Sequence, residues 1–395
     1  MHIPSAKNYN EMLTESGRIW FVPSIGNDTN AILLKGYTNV LKAIMTGCRV
    51  TISFAINQSP SSPILVSCVQ IYDDKDNAMM VLTAHINKNE HTIISKILNR
   101  ESTPLFLYDE LNRNIGWADS SWNSCTDKIT QLISSSQPLY TGVSTKDVQS
   151  ALDNLQISLD PTIVISSATQ INFEQIDLVS QSFSAINIYG YSVNDHGHMF
   201  NALSEDEGGG FEQSAWQLLE NLFDYHLYKS PQTISQTKQK RELTDIFGFS
   251  DIGIFLFETK VSAVINTSPQ RSTQRRAKNI ESQIKKALDQ LCGAVRVIKS
   301  SQNIVSQSGV QLNFDRQLIP HGVVVISEMI PTVNWLYIAQ ILMKKSLESS
   351  AMLHILDLEE LRYLISHSFS IYHFDYYLTQ RFNRVHLSFA MSKYA

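Results

Sequence analysis

The run Arg241-Glu242-Leu243-Thr244-Asp245, followed by Phe255-Leu256-Phe257-Glu258-Thr259-Lys260, constrains this chain more than any other stretch. The spacing predicts a β-hairpin with its turn centred near Asp251. Glu258 and Lys260 lie two apart on the second strand, so both project from one face. The turn brings Asp245 opposite Glu258. Two carboxylates side by side repel, and one ammonium beside them offsets that only in part. A mostly apolar hairpin rarely accepts that cost without a use. The use that fits is a divalent cation, Mg²⁺ or Mn²⁺, with a nucleophilic water beside it. Asp245, Glu258 and the backbone carbonyl of Thr259 are its expected ligands. The competing reading makes Asp245 a solvent-facing acid at a strand start and Glu258–Lys260 a surface ion pair.

The remaining bounds agree with a folded enzyme. With 395 residues, 43% apolar and 17% charged, the chain is long enough for two or three domains with real cores. No apolar run approaches the length of about 20 residues that spans a bilayer. The start, Met1-His2-Ile3-Pro4-Ser5-Ala6-Lys7, lacks the pattern of a signal peptide. Cys48, Cys68, Cys125 and Cys292 are scattered, with no CxxC pair. A reducing, cytoplasmic setting and no zinc site are the expectations. A net charge of −5 does not advertise nucleic acid. Between Lys229 and Lys299, however, cations outnumber acids roughly two to one, as on a local surface facing a polyanion.

Pattern along the chain predicts an α/β protein of two modules. Residues 1–195 read as a β-rich α+β module. Strands are expected over Ile19–Pro23, Arg49–Ile56, Ile64–Tyr72, Ala78–Ala84 and Pro104–Tyr108. Helices are expected near Thr38–Thr46, Glu90–Asn99 and Ser144–Leu155, the last capped by Ser144 with Asp147 in its first turn. His85 and His91 lack a third ligand and read as surface or core histidines. Val193–Gly210, ending in Glu205-Asp206-Glu207-Gly208-Gly209-Gly210, reads as a linker. Residues 208–395 form the second module. A helix is expected from Phe211 to about Tyr228, with Glu212 in its first turn, where the helix dipole favours an anion. After the hairpin, Asn266–Gln274 reads as a basic connection. A second helix runs from Arg275 to Leu291, capped by Gly293. Ala294–Lys299 and Gly322–Ser327 read as strands. Helices follow over Trp335–Lys345, Asp357–Ser366 and Ile371–Arg381. His321, beside Pro320, reads as a loop histidine.

The order helix, hairpin bearing D…ExK, helix with Gln283, strand resembles the PD-(D/E)xK nuclease superfamily, over roughly residues 208–330. The resemblance implies a restriction-endonuclease-like αβα core with a mixed central sheet, and one or two Mg²⁺ ions beside a scissile phosphate. It implies catalytic roles for Asp245, Glu258 and Lys260. Glu212 matches the acid on the leading helix, and Gln283 the polar residue on the following one. Thr244 stands where the family's proline gives it its name. The C-terminal Leu353-His354-Ile355-Leu356-Asp357-Leu358-Glu359-Glu360-Leu361 is similar to tails of bacterial nuclease-like proteins of defence or mobile-element loci. The expected activity is hydrolysis of DNA phosphodiester bonds, in a setting of anti-phage or anti-plasmid defence. Arg271, Arg275, Arg276, Lys278, Lys285 and Lys286 would grip phosphates. Asn266–Lys286 holds no aromatic residue, which disfavours single-stranded RNA as the target. The alternative is a catalytically inactive nuclease-fold module that binds nucleic acid or a partner protein.

Overall fold

The computed structural model describes residues 3–23, 30–59, 62–74, 78–122, 126–136, 138–190, 198–223, 226–234, 240–262, 273–300 and 302–392. The protein is of mixed α/β class and divides into two compact units. The first is built chiefly from residues up to Ile188; the second comprises Tyr189–Phe200 and most of the chain from Ser204 onward.

The first unit contains α1 (Ala6–Thr14), β1 (Arg18–Pro23), β2 (Asn30–Lys35), α2 (Thr38–Met45), β3 (Val50–Asn57), β4 (Ile64–Ile71) and β5 (Met79–His85). There follow α3 (Lys88–Leu98), β6 (Thr103–Tyr108), β7 (Asn114–Trp122), α4 (Asp127–Ser135), α5 (Lys146–Leu159), β8 (Phe173–Ser180) and β9 (Ser184–Ala185). One sheet runs β1-β2-β6-β7-β8-β3-β4-β5, with β9 added on β7. All eight residues of β4 are buried, as expected of a strand covered on both faces. On one face α5 lays Val148, Ala151 and Leu155 over Ile64, Val66 and Cys68. The cap of α5 is Thr145, not Ser144: its hydroxyl accepts from the Val148 amide, and the helix starts one residue later. The sheet curls until its ends meet. The outward amide of Ile19 on β1 donates to Thr83 Oγ1 of β5 at 3.1 Å, and that of Phe21 to Glu90 Oε1 at 3.3 Å. His85 and His91 are core residues. The Nε2 of His85 lies 2.7 Å from Ser67 Oγ, its Nδ1 lies 3.1 Å from Glu90 Oε1, and its carbonyl is bonded by His91 Nε2. Burial pushes the Glu90 carboxyl up, but His85 and Arg18 overcome this and hold it below its ordinary value.

A two-stranded sheet follows, in which β10 (Ile188–Gly190) pairs with β11 (His198–Phe200). The second unit then has α6 (Glu207–Phe223), β12 (Leu227–Lys229), β13 (Gln232–Ile234), β14 (Lys240–Glu242), β15 (Ile246–Phe249), β16 (Ile254–Lys260) and α7 (Thr273–Lys299). It continues with β17 (Asn303–Val305), β18 (Pro320–Ile326), α8 (Trp335–Ser349), β19 (Met352–Asp357), α9 (Leu358–Ser366) and α10 (Ile371–Ser392). The central sheet has the order β12-β15-β16-β18-β19. The first three strands are antiparallel, and β16, β18 and β19 are parallel. A small sheet, β14-β13-β17, stands apart from it.

Strand alternation sorts the two faces. Ile254 and Leu256 of β16 pack with Ile280, Ile284 and Leu288 of α7, and with Ile338 and Leu342 of α8. Phe255 and Phe257 point the other way, where Phe223 of α6 meets both rings edge-on, with centroids 5.1 and 6.3 Å away. Glycine is required at 248, because a Cβ there would stand 2.6 Å from the Phe223 ring.

Three sequence expectations are corrected here. The leading helix begins at Glu207, inside the segment read as linker, and takes in the glycine triplet. Asp206 Oδ1 accepts from the Gly209 amide at 2.9 Å, and a Cβ at Gly209 would collide with that carboxylate. Gly209 therefore makes room for the helix's own cap. Second, α7 does not stop at Gly293 but continues through Ala294–Lys299, read as a strand. Ala294, Val295 and Ile298 extend the buried stripe of Ala287, Leu288 and Leu291 at helical spacing. Third, His321 belongs to β18 and is buried, with Nε2 3.0 Å from Asp375 Oδ1 and Nδ1 3.1 Å from His354 Nε2. Pro320 opens the strand, a position where its missing N–H does little harm.

Candidate active site

The register of β15 and β16 pairs Ile246 with Phe257. One step outward, the chain presents Asp245 to the Glu258 end of the hairpin. Two hydrogen bonds hold Asp245 there: its Oδ2 accepts from the Thr259 amide at 2.7 Å and from the Thr259 hydroxyl at 2.9 Å. Its carbonyl accepts from the Ser230 amide at 2.7 Å. Ser230 has φ of 44°, a left-handed conformation costly for a residue with a Cβ, so the end of β12 is fixed to Asp245 under local strain. The neighbouring Thr244 hydroxyl donates to the Phe257 carbonyl at 2.7 Å.

Lys260 joins the acids. Its Nζ stands 2.9 Å from Glu258 Oε2 and 3.9 Å from Asp245 Oδ2. The three charged groups expected to converge therefore do so. The Glu258 side chain is only 2% exposed, against 18% for Lys260 and 21% for Asp245. Burial pushes the Glu258 carboxyl up to about 7, Asp245 pushes it the same way, and Lys260 and Thr244 draw it partly back. An ordinary surface ion pair would not do this, since exposure leaves carboxylates near their usual range.

Glu212 lies in the second turn of α6, not the first, so the helix dipole does not account for it. Its Oε1 is 3.4 Å from Lys229 Nζ and accepts no hydrogen bond among the described residues. Lys229 donates instead to Gln213 Oε1 at 3.1 Å. Burial raises the Glu212 carboxyl, Lys229 opposes this, and Asp245 and Glu242 add to the rise, which puts Glu212 within electrostatic reach of the pair. Gln283 Nε2 donates to the Val261 carbonyl at 3.3 Å, next to Lys260, rather than to Lys260 itself. Asp251, the other acid of the hairpin, stays at the turn and accepts from Tyr372 Oη at 2.8 Å.

The basic residues separate into two groups. Arg275, Lys278 and Lys286 are exposed and fall within about a quarter turn of one another on α7. Arg276 is half-buried and donates to Glu328 Oε2 at 2.7 Å, and Lys285 lies over the Tyr337 ring at 4.4 Å. Arg271 lies outside the described residues. The sequence reading expected the backbone carbonyl of Thr259 to serve the ion and placed Thr244 at the family's proline position, but it singled out neither hydroxyl, nor Lys229 as the neighbour of Glu212.

Among the described residues, no three His, Cys, Asp or Glu side chains are grouped to hold a metal by themselves. The Asp245–Glu258 pair nevertheless fits Mg²⁺, which keeps several waters and takes one or two carboxylates. A buried carboxyl pushed up beside a second acid is the donor set that a divalent cation relieves. Among the described residues, no helix is long and apolar enough to cross a membrane. No protein-family model matches this chain, nor does any curated protein or any solved structure.

Proposed function

We propose that this protein is a Mg²⁺-dependent nuclease of the PD-(D/E)xK type, hydrolysing phosphodiester bonds in DNA. One observation carries the reading: a single ammonium, Lys260 Nζ, lies within 3.9 Å of two carboxylates from neighbouring strands, one of them buried. The order α6, three antiparallel strands, α7 and a parallel strand supports it, because that is the core the resemblance implies.

Asp245 and Glu258 would hold the ion, which supplies a water of lowered pKa and neutralises charge developing on the phosphate. Lys260 is placed to orient the attacking water and to stabilise the added negative charge in the transition state. The water oxygen forms a new bond to phosphorus, its proton passes to solvent, and the P–O bond to one sugar breaks as that oxygen gains a proton. Glu212 lies near enough to tune the acids electrostatically. Gln283 fixes the backbone at Val261 and thereby the strand end that carries Lys260. The exposed face of Arg275, Lys278 and Lys286 would contact phosphates irrespective of sequence, which favours duplex DNA. The proposed setting is the cytoplasm of a bacterium, in defence against phage or plasmid DNA.

The test is cleavage of plasmid and linear DNA by the purified chain with Mg²⁺ or Mn²⁺. Asp245→Ala and Lys260→Ala should each lower the rate by about a hundredfold or more, with circular dichroism unchanged. Undiminished cutting by both variants removes the proposal. Binding of DNA without cutting by the wild type would assign the chain to inactive nuclease-fold modules.

A further inference from the structure

The reading of Asp245 as a metal ligand leaves open which of its oxygens takes part, and the hairpin settles this. Asp245 Oδ2 takes two hydrogen bonds from one residue, through the Thr259 amide at 2.7 Å and the Thr259 hydroxyl at 2.9 Å. Among the described residues, none donates to Oδ1. The amide bond would form with any residue at 259 except proline; the hydroxyl bond is particular to threonine or serine.

We propose that Thr259 is the specificity-determining residue of the site: by engaging Oδ2 twice it leaves Oδ1 as the open oxygen of Asp245 for the ion, and so selects Mg²⁺ against Ca²⁺. The chemistry follows from the two ions. Mg²⁺ takes six ligands in strict octahedral geometry and accepts carboxylates through one oxygen. Ca²⁺ takes six to eight and gains from carboxylates that offer two. An Asp245 held to one oxygen suits the first and leaves the second short of ligands. Nearby, Glu258 Oε2 is likewise engaged, by Lys260 at 2.9 Å, so neither acid presents a free pair of oxygens.

The inference rests on the nuclease reading, and its test separates the two. The full-length chain, without nucleic acid, is titrated with Mn²⁺ by electron paramagnetic resonance, and Mg²⁺ and Ca²⁺ are run as competitors. Thr259→Val removes the hydroxyl at nearly constant volume, and Thr259→Ser retains it. The wild type and Thr259→Ser should prefer Mg²⁺ to the same degree. In Thr259→Val the Mg²⁺/Ca²⁺ ratio should fall by about threefold or more, as Asp245 Oδ2 loses one of its two bonds and can turn toward the larger ion. Should Thr259→Val fail to fold, Thr259→Ala serves for the same comparison. A smaller change in the ratio, or loss of selectivity in Thr259→Ser as well, overturns the role of Thr259 while leaving the metal site standing. Mn²⁺ binding that survives Asp245→Ala and Glu258→Ala overturns the functional reading, and this inference with it.

Discussion

Each unit of this protein buries a trio of titratable or hydroxyl groups, and the two trios differ in kind. Ser67, His85 and Glu90 in the first unit are 0%, 0% and 6% exposed; Ser67 Oγ lies against His85 Nε2, the Glu90 carboxylate stands 3.1 Å from His85 Nδ1, and Glu90 also accepts from the Phe21 amide. Glu90 is held as a carboxylate by His85 and Arg18 despite its burial. Asp245, Glu258 and Lys260 in the second unit include two acids against one cation. There the buried acid is destabilised as a carboxylate, and its neighbours are open to solvent. The comparison teaches that burial alone does not mark a site. Ser67 and His85 resemble a nucleophile with its base, but nothing can reach them, and their bonds join β4 to β5 and α3. The hairpin acids are held against their own repulsion and can be reached, as binding of a cation requires.

Breaking the satisfied trio should cost stability, and neutralising the buried acid of the strained one should not. His85→Ala leaves Ser67 and Glu90 buried without their partner, so it should lower unfolding stability by about 2–4 kcal/mol in urea denaturation. Cleavage per folded molecule should stay the same. An equal loss from Glu258→Gln would erase the distinction drawn here.

A pH comparison sharpens the contrast. The folded Glu258 carboxyl titrates near 7 against an ordinary 4.5, so its raised value favours folding fully below about pH 4.5, and that contribution is lost as pH rises through 7. Glu258→Gln removes the charge that causes the loss. In chelator, the variant should be more stable than wild type at pH 8 by about 1–3 kcal/mol and nearly equal to it at pH 4.5. Melting curves across that range decide the point; a variant less stable at pH 8 would contradict the strained-acid account.

The smallest effect concerns the basic face of α7. Replacing Arg275, Lys278 and Lys286 together by Ala should flatten the dependence of log affinity for DNA on log salt, by a slope of up to about 2–3. Arg276→Ala should act mainly through the lost pair with Glu328 and leave the slope nearly unchanged. Equal slopes for the triple variant and the wild type would remove this face from the interface.

Much of the second unit was legible because its signals are local. Two short apolar runs about a turn fix the hairpin, and period two puts Glu258 and Lys260 on one face. What failed was punctuation. Gly208-Gly209-Gly210 and Gly293 look like helix breakers, yet one set accommodates a capping aspartate and the other lies within a stripe that simply continues. In the first unit, five expected strands are present with small boundary shifts, while β2, β7, β8 and the two-residue β9 were missed. The sequences of β7 and β8 mix polar and apolar residues, and β2 gains its burial from neighbours distant in the chain. The bond of Ser67 to His85 joins residues 18 apart, and that of Thr259 to Asp245 joins residues 14 apart. Hydroxyl donors are too common for either pairing to be read without coordinates.

The curled sheet of the first unit carries one last implication. Along the outer side of β1, the amide of Ile19 is taken by Thr83, that of Phe21 by Glu90, and Pro23 has none to offer. An incoming peptide would meet no row of open donors there on which to extend the sheet. Whatever this half of the molecule recognises, along this border it must do so through side chains rather than by templating another strand.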